Sequence, residues 1–186
     1  MPKIVYAPIL EQAGFLKRKA AVVVEQWVAQ LDGAAQYWEL TESLTLVNGY
    51  SLEFECVGSH EGGVLISTAS FGLQFRLING IYEFFGCDAE INGIPATSGV
   101  TAYDGAGITS FKLTVTTARP LGTLLSKATS FLSASAMRNF KMKNADGIVL
   151  NQIPLTNKAQ GATQLATVGN INAFMPNYTN AVWRKP

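Results

Sequence analysis

One histidine and two cysteines in 186 residues leave little material for metal or nucleophile chemistry. The solitary His60 excludes a His-rich zinc centre. Cys56 and His60 stand four apart, but no second ligand pair at short spacing supports them, and Cys87 would have to complete an improvised set. Metal and cofactor are both expected to be absent. No Gly-rich phosphate loop, nucleophile elbow or paired CxxC is present. Charge is scarce too. Asp, Glu, Lys and Arg make up 15% of the chain, against roughly 25% in an ordinary soluble domain. The surface must then be covered by Ser, Thr, Asn, Gln and Gly, or be buried against partners. No apolar run approaches the roughly 18 residues of a membrane helix, so no membrane partner is expected. The start, Met1-Pro2-Lys3 before Ile4-Val5-Tyr6, lacks the ordered zones of a signal peptide. The expectation is a chain not secreted by that route, cytoplasmic or assembled in a virion or particle.

What is plentiful is apolar alternation. Hydrophobic residues are 48% of the chain, and the densest stretch, 44–85, carries two Asn-Gly steps between alternating runs, a strong hairpin signal. A two-residue loop at Asn79-Gly80 pairs Ile78 with Ile81, Leu77 with Tyr82, Arg76 with Glu83 and Phe75 with Phe84, which matches character face by face. At Asn48-Gly49 the same loop would put Leu44 against Glu53. A three-residue turn with Gly49 near the left-handed conformation restores Leu46/Leu52 and Leu44/Phe54. Further strands are expected at Trp38–Leu40, 64–67, 108–117 and 148–150. Short connections imply antiparallel pairing.

Two stretches show helical spacing. Leu16, Ala20, Val23, Val24, Trp27 and Leu31 predict a helix near 14–31, with Asp32-Gly33 as its stop and a strand over 20–24 as the competing reading. Leu121, Leu124, Leu125, Ala128, Phe131, Leu132 and Ala136, behind Pro120, predict a second near 120–140. The fold class is α+β or mainly β: an antiparallel sheet, as a sandwich or partly closed barrel, with two flanking helices and extended terminal arms. Residues 1–10 read as an N-terminal arm or edge strand, 11–154 as one core domain, and 155–186 as an extended C-terminal arm with spaced apolar anchors.

The near-neutral total hides an asymmetry. Residues 1–104 carry 12 acidic and 5 basic side chains, a balance of −7, and residues 105–186 carry 1 acidic and 9 basic, a balance of +8. Either the two parts complement each other internally, or opposed faces steer assembly, or the basic part meets nucleic acid. Candidate interface residues are Tyr6 in the first arm, Arg138, Lys141 and Lys143 in the basic cluster, and Phe174, Tyr178 and Trp183 in the last arm. Catalytic candidates are weak: His60 beside Glu61 as a general acid or base, and Glu53 with Glu55 on one strand face, at the carboxylate spacing of glycoside hydrolysis. Residues two apart on a strand meet that spacing routinely. The sequence therefore points to a self-assembling structural subunit, for example a virion, phage-tail or shell component, whose partners are copies of itself or other structural subunits. A small-ligand or carbohydrate-binding β domain using Tyr50, Tyr103 or Trp183 is the alternative, and a hydrolase the third reading.

Overall fold

Alternation of apolar and polar residues turns most of this chain into strands, because a period of two puts every second side chain on one face. The computed structural model describes residues 26–58, 63–68, 72–105, 107–125 and 134–186. In order the strands are β1 (Val28–Ala29), β2 (Trp38–Leu46), β3 (Ser51–Val57), β4 (Gly63–Ser67), β5 (Gln74–Ile78), β6 (Ile81–Phe85), β7 (Cys87–Ile91), β8 (Ile94–Pro95), β9 (Ile108–Val115), β10 (Arg119–Leu124), β11 (Ala136–Lys143), β12 (Val149–Ile153), β13 (Thr163–Gln164), β14 (Ala173–Phe174) and β15 (Trp183–Arg184). One sheet runs β13-β14-β2-β10-β4-β5-β6 and the other β12-β11-β3-β9-β7-β8, while β1 and β15 make a separate ribbon. Neither sheet closes on itself. Every pair is antiparallel.

The two sheets share one core. Phe111 of β9 stacks on Phe54 of the neighbouring β3 at 5.0 Å and meets Phe75 and Tyr82 of the other sheet edge-on, at 5.2 and 5.7 Å. Such ring pairs add about 0.5–1.5 kcal/mol beyond the area they bury. A smaller cluster, Val28, Val57 and Ala136, forms where the β1–β15 ribbon meets the six-stranded sheet. No helix among the described residues is long and apolar enough to cross a membrane.

The hairpin at Asn79-Gly80 has the expected register, with Phe75 opposite Phe84, Arg76 opposite Glu83 and Leu77 opposite Tyr82. Asn79 and Gly80 have φ of 51° and 73°, the doubly left-handed pair that a type I′ turn requires. At Asn48-Gly49 the turn is present but the hairpin is not. The Tyr50 N–H donates to the Val47 carbonyl at 3.0 Å and Gly49 has φ 84°, yet β2 pairs with β10 and β14 while β3 pairs with β9 and β11. Leu44 and Phe54 both face the core, from opposite sheets. An apolar face states that a strand is buried on one side, not which sheet holds it. The third Asn-Gly, at 92 and 93, is a true hairpin that pairs Ile91 with Ile94.

The two flanking helices are a correction. Residues 120–140 contribute β10 and β11, and the end of the first expected helix contributes β1, paired with β15. The misleading three-residue spacing comes from bulges. In β11 the register slips between Arg138 and Lys141, with Asn139 at φ 56°. That extra residue lets Met137 and Phe140, three apart, both point inward. β10 also slips against β2 between Leu121 and Thr123, here with the extra residues on β2; Leu121 and Leu124 are both buried, and Leu125 follows at φ 58°. A left-handed leucine is strained by about 1–3 kcal/mol. Its complete burial and the bond from its N–H to the Leu65 carbonyl at 2.9 Å hold it there. Asp32 does not stop a helix; its Oδ1 accepts from the N–H groups of Ala34, Ala35 and Gln36. Slight burial opposes the ionised form, but those backbone donors, Ala35 first, outweigh it and hold the carboxyl below its ordinary range.

Residues 155–186 fold onto their own domain. β13 and β14 extend the seven-stranded sheet beyond β2, and β15 closes on β1. Between them the 165–172 segment crosses to the other sheet: Val168 bridges Gln152 of β12, and the Asn151 carboxamide donates to the Ile171 carbonyl and accepts from its N–H. Leu155, Ala173, Met175, Val182 and Trp183 enter the main core. The expected N-terminal arm with Tyr6, residues 11–25 and the loop carrying His60 lie outside the described residues, as do 126–133.

Candidate functional site

The outer face of the six-stranded sheet gathers most of the charged candidates. β3 contributes carboxylates and lies between two basic strands. Register sets Glu53 opposite Lys141 on one side and Lys112 on the other, and Glu55 opposite Arg138 and Ser110. The bulge at Asn139 brings Lys141 and Lys143 outward on the same face as Arg138. Without it, a one-residue slip would turn them into the core and Phe140 to solvent. The Arg138 Nε donates to Glu55 Oε2 at 2.5 Å, Lys143 Nζ to Glu53 Oε1 at 2.6 Å, and Lys112 Nζ to Glu90 Oε1 at 2.6 Å. Between them lies a shallow depression of about 290 Å³ bordered by Glu53, Glu55, Glu90, Lys112, Asn139 and Lys141.

This geometry accounts for part of the charge asymmetry. Those three ion pairs each join a carboxylate from residues 1–104 to a cation from residues 105–186. It also weakens the hydrolase reading. An acid and base pair needs two carboxyl groups in unlike environments, whereas Glu53 and Glu55 each have a cation at hydrogen-bond distance. Exposed ion pairs of this kind contribute about 0–1 kcal/mol. The Arg138–Glu55 pair is the best covered of them, with side chains 13% and 29% exposed.

The cysteines are both reduced and buried. β3 and β7 flank β9, with Cys56 opposite Thr109 and Cys87 opposite Val115. Six residues of strand separate those positions, about 20 Å, which excludes a disulfide. Burial pushes the Cys56 thiol far up and raises Cys87 to about 12, so neither is a poised nucleophile. Among the described residues no three His, Cys, Asp or Glu side chains gather around a common point that suits a metal ion.

The aromatic candidates disperse. Trp183 is 6% exposed, and its Nε1 donates to the Tyr178 hydroxyl at 2.9 Å, which in turn donates to Asn180 Oδ1 at 2.6 Å. Tyr50 and Tyr103 pack against the core. Phe174 stays exposed on β14, beside the β2 edge. His60 and Tyr6 lie outside the described residues.

A second depression, of about 380 Å³, lies where Trp27 meets the 154–167 segment. Sequence reasoning missed it because it put Trp27 on a helix face. The only signal available was the amide- and hydroxyl-rich run from Thr156 to Thr167. Here Lys158 Nζ sits 3.9 Å from the Trp27 ring centre and Lys185 Nζ 5.6 Å. No protein-family model, curated protein or solved structure matches the chain.

Proposed function

We propose that the chain is a structural subunit that assembles with copies of itself, as a component of a virion, a phage tail or a similar shell. The observation that carries the reading is an apolar margin along the β12 edge. Ile148 is 59% exposed, Leu150 37%, Leu165 51% and Val168 40%. The backbone brings them to one border, since Val168 bridges Gln152 and Gly169 approaches the Leu150 carbonyl and the Asn151 side chain closely. Exposed apolar side chains gathered on a surface so poor in charge favour a partner over water. Other structural subunits remain admissible partners. Nucleic acid draws less support, because Lys112, Arg138 and Lys143 are already paired with carboxylates. Carbohydrate binding finds no platform at Tyr50, Tyr103 or Trp183, which pack inward.

Absolute mass by size-exclusion chromatography with light scattering, on the full chain at low and high salt, tests the proposal. A multimer is expected, persisting at high salt because its contact is apolar, and reduced in mass by Ile148→Lys with Leu165→Lys. A monomer at both salts would overturn self-assembly. Cutting the chain after Ile153 is a poor test, since it would remove the partners of β1 and one neighbour of β2.

A further inference from the structure

We infer that the depression beside Trp27 is a binding site for an anionic sugar, one carrying a carboxylate or a sulfate. Its size, about 380 Å³, falls at the small end of ligand pockets, roughly 300–1,000 Å³, and suits a single saccharide unit. Its border contains Trp27, Thr156, Asn157, Lys158, Gln160 and Thr167, and no acidic residue.

The hydrogen bonds inside this segment decide which groups remain for a ligand. Asn157 Oδ1 accepts from the Ala159 N–H at 3.1 Å, and Gln160 Oε1 accepts from the Leu165 N–H at 3.0 Å. Gln164 is used at both ends: Oε1 accepts from the Asn157 N–H, and Nε2 donates to the carbonyls of Asn157 and Gly161. Each of these carboxamide oxygens thus accepts one backbone N–H, and the same bonds fix the orientation of the carboxamides. The NH₂ groups of Asn157 and Gln160 are left as donors. These oriented donors, the Lys158 ammonium and the lack of an acidic residue on the rim favour an oxyanion over a cation. Lys158 joins none of the four ion pairs among the described residues. It rests on the indole face, from which its flexible stem can swing to a ligand carboxylate. That movement opens part of the ring, with Lys185 Nζ still 5.6 Å from its centre, to stacking against the apolar face of a sugar. Indole platform, oriented donors and mobile cation thus meet at one place.

Ligand-observed NMR and calorimetry on the full chain, with methyl β-D-glucuronide, methyl β-D-glucoside and inorganic sulfate as probes, test the inference. Saturable glucuronide binding in the millimolar range is expected, at least about fivefold tighter than the glucoside, with Lys158→Gln removing that preference. Trp27→Phe, which keeps a ring, should retain binding, and Trp27→Leu should lose it while the melting temperature reports folding. Three results would each overturn the inference: no saturable glucuronide binding, glucoside binding equally well, or affinity unchanged in both Lys158→Gln and Trp27→Leu. Sulfate binding as tightly as glucuronide would also overturn it, by showing a bare anion site without sugar recognition.

Discussion

In the six-stranded sheet β3 is zipped to β9 over seven consecutive residue pairs, from Ser51–Thr114 to Val57–Ile108. In the seven-stranded sheet β10 meets β4 at one described pair, Leu124 with Ile66, two further pairings carry slips and two last only two residues. Around β9 the first sheet is specified by continuous backbone bonding, its register slips fall in the pairings of β11, and its outer face carries ion pairs. The second is specified from inside: Leu65, Ile66, Leu121, Leu124 and Leu125 are completely buried around the seam. Continuous pairing and interior packing are thus two ways to fix a register, and one chain uses both.

The largest effect expected breaks the weaker partner of this comparison. Leu124→Ala removes a fully buried side chain at the seam and should cost about 2–5 kcal/mol in denaturant unfolding. Its signature is local: amide exchange should accelerate in β4, β5 and β10 well before β3 and β9. Leu113→Ala in β9, of similar total cost, should lower protection in both sheets together. Equal loss everywhere from Leu124→Ala would remove the distinction between the sheets.

The next effect belongs to the continuous sheet, which holds both cysteines. Each buried thiol has a folded pKa above its ordinary value, Cys87 at about 12, while an unfolded thiol ionises near 8.5. Above that pH the unfolded chain releases protons that the folded chain retains, so the thiol contribution is intact below about pH 8.5 and lost as pH rises toward 12. The slope is about 1.4 kcal/mol per pH unit for each thiol. Denaturant midpoints at pH 8 and 10 check it, and Cys56→Ala with Cys87→Ala should flatten the decline. Tyr82, raised by burial first and then by its neighbours, adds to the alkaline loss only above about pH 10.

The smallest effects sharpen the comparison on the outer faces. Glu55→Gln leaves Arg138, 13% exposed, without its partner and should cost about 1–3 kcal/mol. Glu83→Gln breaks the pair with Arg76, whose side chains are 38% and 41% exposed, and should cost under about 1 kcal/mol. Reversal of that order, read from paired unfolding curves, would show that cover does not set the strength of these pairs.

The hairpin at Asn79-Gly80 was legible residue by residue because everything that fixes it lies within a dozen positions. Partner choice for β2 and β3 was not, since it depends on residues such as Leu121 and Met137 far along the chain. The apparent helices show a second limit. A strand with a bulge spaces inward residues three apart, as Met137 and Phe140 are, and so imitates a helical stripe until the left-handed Asn139 is known. Glu53, Glu55, Arg138 and Lys143 were singled out one by one. That they neutralise each other required the register. The Trp27 depression was invisible because its two sides come from opposite ends of the described chain.

The pairing of β15 with β1, and of β14 with β2, gives the molecule a direction in time. The ribosome makes the first strands long before their closing partners, so the edges of β1 and β2 stay open until residues 173–184 have been made. A messenger cut short, or a stop codon gained anywhere before residue 173, yields a product with these unsatisfied edges exposed to other nascent chains. For this protein the first strands and the strands that complete them are separated by more than a hundred residues of synthesis.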